Sequence, residues 1–231
     1  MNISTVRVIS QSLYAKLGYS LERDLAPAAL LAYTPLVVTG HNGIGAKRVS
    51  DLVAAAKTTK IVRASGVPRR HQPFVRRDVK MHHRFDAMYV PYKGNGAAIV
   101  DMMSDQANLL INGVPDLLPT IKFGRIRALA TMADKRHPNL PDVSTMAEQG
   151  HQDFVLGNWV GVVVPMGTPQ PVIDQLYNEL ARWMNSPDVA AKIAQQGFDP
   201  ALCSPAEFAR RLKTEITRFA KAMKESGARI D

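Results

Sequence analysis

The sequence predicts an α/β protein made of parallel strands alternating with helices, and three observations carry that expectation. Short apolar runs at 87–90, 109–111 and 126–131 are separated by helix-like segments opened by Gly, Asn or Pro. Two longer apolar segments, 30–39 and 154–165, flank this block and read as strands crossing between two lobes. The C-terminal third adds an amphipathic helix with a clear start signal. The expected architecture is two α/β lobes with a cleft between them: lobe one comprises residues 1–39 with 158–231, lobe two residues 40–157. Ligands in open α/β sheets bind beyond the carboxyl ends of the strands, so the loops at 92–96 and 112–115 are the places to look for function.

The elements follow in order. Residues 6–17 read as a short helix, then come the turn-rich Gly18-Tyr19-Ser20 and the charged Glu22-Arg23-Asp24. The run 30–39 is nearly all apolar and is interrupted by Pro35, as in a buried or edge-entering strand. The loop 40–45 has three glycines but lacks both the Lys-Ser/Thr of a phosphate loop and a complete G-x-G-x-x-G, so it reads as a turn. Ser50 is expected to cap a helix running to Lys57, and 60–64 to form the next strand. The segment 154–165 is expected as one long strand with Trp159 at its centre and Gly161 inside it. Thr168-Pro169 opens a helix to Met184 whose apolar face is Val172, Leu176, Leu180 and Trp183. Ser204-Pro205-Ala206-Glu207 is a capping box. Behind it Phe208, Leu212, Ile216, Phe219 and Met223 recur at steps of four and three, one stripe facing a core.

Composition excludes several function classes. With 231 residues, 46% hydrophobic and 21% charged, the chain has ample material for one large or two small folded domains. No apolar run approaches the roughly 20 residues needed to span a bilayer. The first seven residues show no basic segment followed by an apolar core, so no signal peptide is expected. The single Cys203 excludes an intramolecular disulfide and is a poor nucleophile or metal ligand without a Cys or His nearby in sequence. The net charge of +9 is concentrated: Arg63, Arg69, Arg70, Arg76, Arg77, Lys80 and Arg84 face only Asp78, so this short segment supplies +6. Its arginine pairs lack interleaved aromatics beyond Phe74, which argues against a nucleic-acid surface. His71, His82 and His83 lack the paired Cys/His spacing of a zinc site. No nucleophile elbow, zincin motif or paired-carboxylate signature is present, so no enzyme and no cofactor are expected. Asp101, Asp105 and Asp116 read as solvated or capping residues.

The motifs Arg23-Asp24-Leu25-Ala26-Pro27, Val90-Pro91-Tyr92-Lys93-Gly94 and Gly124-Arg125-Ile126-Arg127-Ala128-Leu129-Ala130 are specific. So are Leu140-Pro141-Asp142-Val143-Ser144-Thr145-Met146-Ala147-Glu148, Gly167-Thr168-Pro169 and Ser226-Gly227-Ala228. In order and spacing they resemble the Bug family, the TctC-like solute receptors of tripartite tricarboxylate transporters. The resemblance implies a two-lobed periplasmic-binding-protein fold, type II-like, acting as a monomer in the periplasm. It also implies a small carboxylate as ligand and a membrane permease as partner. The family normally begins with a signal peptide, a leading strand and a glycine-rich loop. Met1 corresponds to a point inside the first lobe, so lobe one is expected to be incomplete, and a chain complete as written would stay in the cytoplasm. The second departure is residues 67–85, where prolines and arginines replace the family's small residues and helix. Compensating frameshifts are the expected origin, with this segment the worst-packed of its lobe apart from a short helix from about Pro73 to His82. A non-functional relic of such a receptor, or less plausibly a basic nucleic-acid-binding protein, are the competing readings.

Seven residues are candidate ligand contacts. Ser65 and Gly66 end a strand and match a family segment that lines the pocket; Ser65 also reads as a helix cap. Tyr92, Lys93 and Gly94 follow the next strand, where free N–H groups and a glycine suit an anion, while Lys93 also reads as solvated. Asn112 offers a donor and an acceptor, or forms a turn before Gly113. Trp159 either lines the cleft or packs in a core.

Overall fold

The computed structural model describes residues 2–5, 7, 8, 11, 17–66, 87–152 and 154–226. In chain order the elements begin with β1 (Asn2–Ser4), α1 (Leu21–Asp24), β2 (Leu25–His41), a 3-10 turn (Asn42–Ile44), α2 (Val49–Ala55), β3 (Ile61–Ser65) and β4 (Ala87–Pro91). Then follow α3 (Asn95–Met103), β5 (Leu109–Gly113), α4 (Val114–Lys122), β6 (Ile126–Thr131) and β7 (Gly157–Pro165). The chain closes with α5 (Gln170–Met184), α6 (Pro187–Gln195), β8 (Asp199–Cys203) and α7 (Pro205–Ser226). Two compact units result, Met1–Tyr33 with Asn158–Asp231, and Thr34–Gly157.

The division falls after Tyr33 rather than after Thr39, and β2 explains why. This strand is 17 residues long, well beyond the expected 30–39. Its first part pairs antiparallel with β8 at Leu30, Ala32 and Tyr33. From Leu36 onward it pairs antiparallel with β5 and β6 instead. Pro35, which has no N–H to give a ladder, sits between the two sets of partners. At the return crossing, Leu156 is still bound to the second unit: its N–H donates to Met132 O at 2.9 Å and its carbonyl accepts from Leu36 N at 3.0 Å. Strand β7 therefore starts at Gly157, not at Phe154, which is buried in the core of the second unit.

The second unit is a sheet in the order β6-β2-β5-β3-β4. Strand β3 runs parallel to both β4 and β5. Because successive side chains point to opposite faces of a strand, adjacent residues divide between two cores. Val38 and Leu109 join Leu52, Ile61 and Phe154 on one face. Val37 and Leu110 join Met102, Leu117 and Leu118, from α3 and α4, on the other. The 40–45 loop is a turn as expected, with the His41 ring accepting from Gly43 N at 3.1 Å and Gly45 left-handed at φ 70°. Helix α2 is capped by Asp51, whose carboxylate accepts from the N–H groups of Lys47 and Arg48, while Ser50 lies in the first turn. Arg63, first of the basic run, is buried within β3.

In the first unit β1 pairs antiparallel with β7, β7 lies beside β2, and β8 pairs with β2. Helix α5 packs on α6, α7 and β8. Its buried side is centred on Ile173 and Met184, with Leu176, Tyr177 and Leu180 half-buried between them. Val172 and Trp183, expected on the core face, are 51% and 54% exposed. Each precedes a buried residue and is thus rotated by about 100° from it, which sets it at the edge of the stripe. Thr168 does not cap α5; its hydroxyl donates to Pro165 O and closes the preceding turn. The α7 capping box forms as expected: Ser204 N–H donates to Glu207 Oε2 at 3.1 Å and Glu207 N–H to Ser204 Oγ at 3.3 Å. Phe208 and Leu212 are buried. Helix α6 and strand β8 escape sequence reading because neither buries any residue fully, so neither imposes a sharp apolar period.

The expectations for residues 67–85 (frameshift, weak packing, helix from Pro73) and for most of the helix 6–17 fall outside the described residues, as do the side chains of Phe219 and Met223.

Candidate ligand-binding site

Six of the seven candidate residues meet at one end of the second unit. Because β3, β4 and β5 are parallel, Ser65, Tyr92 and Asn112 all lie at their carboxyl ends. Ser65 is buried, and its carbonyl accepts from Tyr92 N at 2.9 Å, which ties the loop after β4 to the end of β3. Gly66 presses against the start of α3: a Cβ there would lie 2.6 Å from Asn95 N and 2.7 Å from Asn95 Cα. No other residue fits without moving the helix.

Tyr92 turns its hydroxyl away from the loop and donates to Asp101 Oδ2 at 2.6 Å. Burial first, and then this bond to a carboxylate, pushes the phenol up to about 12. The Tyr92 N–H, expected to be free, is likewise engaged by Ser65 O, while Lys93 beside it is exposed. Gly94 is the N-cap of α3 with φ 148°, a conformation that a residue with a Cβ rarely adopts. The N-caps of α3 and α4 are both glycines, Gly94 and Gly113, with no side chain to cap the helix. Both nine-residue helices thus direct the positive ends of their dipoles toward this end of the sheet, α4 with Pro115, which has no N–H, in its first turn.

Asn112 forms the anticipated turn. Its Oδ1 accepts from Gly113 N at 2.9 Å and shapes the turn into α4. Its Nδ2 is buried and meets no acceptor with full hydrogen-bond geometry, though the amide lies close enough to Asp116 to favour that residue's charged form.

Two further residues complete the arrangement: Asn95, which sequence reading passed over, and Asp116, which it read as solvated or capping. Asn95, the first residue of α3, donates from Nδ2 to Asp116 Oδ2 at 2.9 Å. Asp116, in the first turn of α4, has its pKa raised by desolvation in spite of the Asn95 and Asn112 contacts. The signal for Asn95 was in plain view, a polar residue between Gly94 and Gly96 at a helix start; only the fold sets it against both Gly66 and Asp116.

Trp159 belongs to the first unit and to its core. It is 1% exposed and meets Phe208 edge-on, with ring centroids 5.3 Å apart and planes at 84°. Gly161 permits this packing, since a Cβ there would fall 2.7 Å from Phe208 Cε1 and 2.9 Å from Ala29 O. Among the described residues no three His, Cys, Asp or Glu side chains are placed to hold a metal ion. No helix among them is long and apolar enough to cross a membrane.

The family model described as tripartite tricarboxylate transporter family receptor matches residues 1–228. The chain belongs to this receptor family. Protein BugT of Bordetella pertussis is 27% identical over 96% of the chain and 69% of its own length. Among solved structures, R. palustris Rpa4515 with adipate superposes at TM-score 0.88 with 24% identity, covering 99% of this chain and 78% of that one. MatC from Rhodopseudomonas palustris with bound malate superposes at 0.79 with 24% identity, covering 96% and 77%. The fold of this receptor is thus the α/β fold of the periplasmic solute-binding proteins.

Proposed function

We propose that the protein is the solute-binding receptor of a tripartite tricarboxylate transporter, working in the periplasm and delivering a small carboxylate to a membrane permease without catalysis. The observation that carries this reading is the pairing of two uncapped helix N-termini, those of α3 and α4, at one end of a parallel sheet. Such ends attract anions through their N–H groups and dipoles. Ser65, Gly66, Tyr92, Lys93, Gly94 and Asn112 are the contacts proposed in this unit. The adipate and malate in the two solved relatives support the ligand class.

Isothermal titration calorimetry with adipate, malate, succinate, glutarate, aspartate and glutamate tests the proposal. At least one is expected to bind stoichiometrically with an affinity that changes little with salt. Absence of binding to every acid, together with steeply salt-dependent binding of DNA, would replace it with the nucleic-acid reading. No response to either would mark the product as a relic.

A further inference from the structure

The proposed site contains a carboxyl group of its own. Asp116 stands in the first turn of α4, bridged at 2.9 Å to the first residue of α3, with the Asn112 amide on its other side. Through Asn95 it also reaches Gly66, whose backbone packs on that residue. One carboxylate thus sits where the chain segments following β3, β4 and β5 converge, between the two helix ends that would receive an anion. It remains more than a third exposed, so it is presented at the surface and not sealed in the core.

Among the described residues no cation offsets it. Asp101 is engaged by the Tyr92 hydroxyl and is itself negative. Lys93 is the lone cation of the 92–96 loop, and its side chain is exposed. A ligand carboxylate approaching α3 and α4 therefore meets attraction from the helix ends and repulsion from Asp116 together. A ligand that carries an ammonium group beside its carboxylate converts that repulsion into a charge-assisted hydrogen bond. Discrimination built on one repelled and one attracted group is an efficient route to specificity.

Resting on the receptor reading above, we propose that Asp116 is a specificity-determining residue that selects amino acids, carrying an ammonium next to the carboxylate, over plain carboxylates of the same length. The test uses matched pairs differing only in the α-ammonium group: aspartate with succinate, and glutamate with glutarate. Calorimetry is run on the full chain as wild type, Asp116→Asn and Asn95→Ala. In the wild type the amino member of at least one pair is expected to bind roughly tenfold or more tighter than its partner. Asp116→Asn keeps the size of the side chain and an oxygen acceptor for Asn95, and is expected to bring the ratio to about one, chiefly by improving the plain acid. Asn95→Ala leaves the charge in place and is expected to preserve the preference, which separates charge from loop geometry. An unchanged ratio in Asp116→Asn, or a wild type that prefers the plain acids, overturns the inference while leaving the carboxylate receptor intact. A wild type that binds no carboxylate overturns both.

Discussion

The starts of α7 in the first unit and of α3 and α4 in the second are solved in opposite ways. At α7, Ser204 and Glu207 satisfy each other's backbone N–H groups, and the chain closes its own helix end. At α3 and α4 the N-cap is a glycine, with no side chain to perform this service, and among the described residues the nearby polar groups instead hold the loops to one another. Capping stabilises a helix, so leaving two adjacent helices uncapped forgoes stability that a single Ser or Asp would provide. Helices α5 and α6 of the first unit also start without a side-chain cap, so what distinguishes α3 and α4 on the receptor reading is that their open starts lie together beyond the ends of parallel strands.

The comparison can be broken most severely at Gly66. Gly66→Ala places a Cβ 2.6 Å from the Asn95 backbone nitrogen, and the start of α3 must shift to accept it. The expected loss is about 1–3 kcal/mol in urea unfolding, with ligand affinity reduced about tenfold or more. Retention of full affinity in a folded Gly66→Ala protein would mean that the start of α3 is not part of the site.

Tyr92→Phe sharpens the contrast from inside the loop. It removes the 2.6 Å bond to Asp101 and is expected to lower stability by about 1–2 kcal/mol while leaving ligand affinity nearly unchanged, because the hydroxyl faces away from the loop. A large fall in affinity with little change in unfolding would put the phenol in the site instead.

At the closed end, Ser204→Ala is expected to lower stability by about 1 kcal/mol and leave ligand binding untouched. Here pH offers an independent check. The Glu207 carboxyl lies below its ordinary value of 4.5 because the Ser204 N–H and hydroxyl donate to it. A depressed carboxyl stabilises the fold above pH 4.5, and that contribution is lost as pH falls through its lower folded value. Wild type should therefore exceed Glu207→Gln in stability at neutral pH, with the margin vanishing in strong acid. A margin that persists there would assign the stabilisation to packing.

Much of the second unit was legible because its strands are short, apolar and bounded by Gly, Pro and Asn, the residues that turns require. The βα alternation alone locates the carboxyl ends of β3, β4 and β5, and with them Ser65, Gly66, Tyr92, Gly94 and Asn112. The first unit was harder to read. Helix α6 and strand β8 bury too little to print a period on the sequence, and Val172 and Trp183 look like core residues while lying at the edge of α5.

By itself the sequence determined the α/β class, the capping box at Ser204, the ends of the strands that matter and, through its motifs, the receptor family. These are local properties, set by side-chain period, by cap and turn chemistry and by short runs of residues. Tertiary structure alone decided that Pro35 marks a change of strand partners and that Trp159 belongs beneath Phe208. It also decided that Tyr92 turns its hydroxyl onto Asp101, and that Asn95 joins Gly66 to Asp116. Each of these joins residues that the chain keeps apart, or chooses between directions that a side chain can take equally well in isolation. Period and composition carry no information about such a choice; the packing of one element on another makes it.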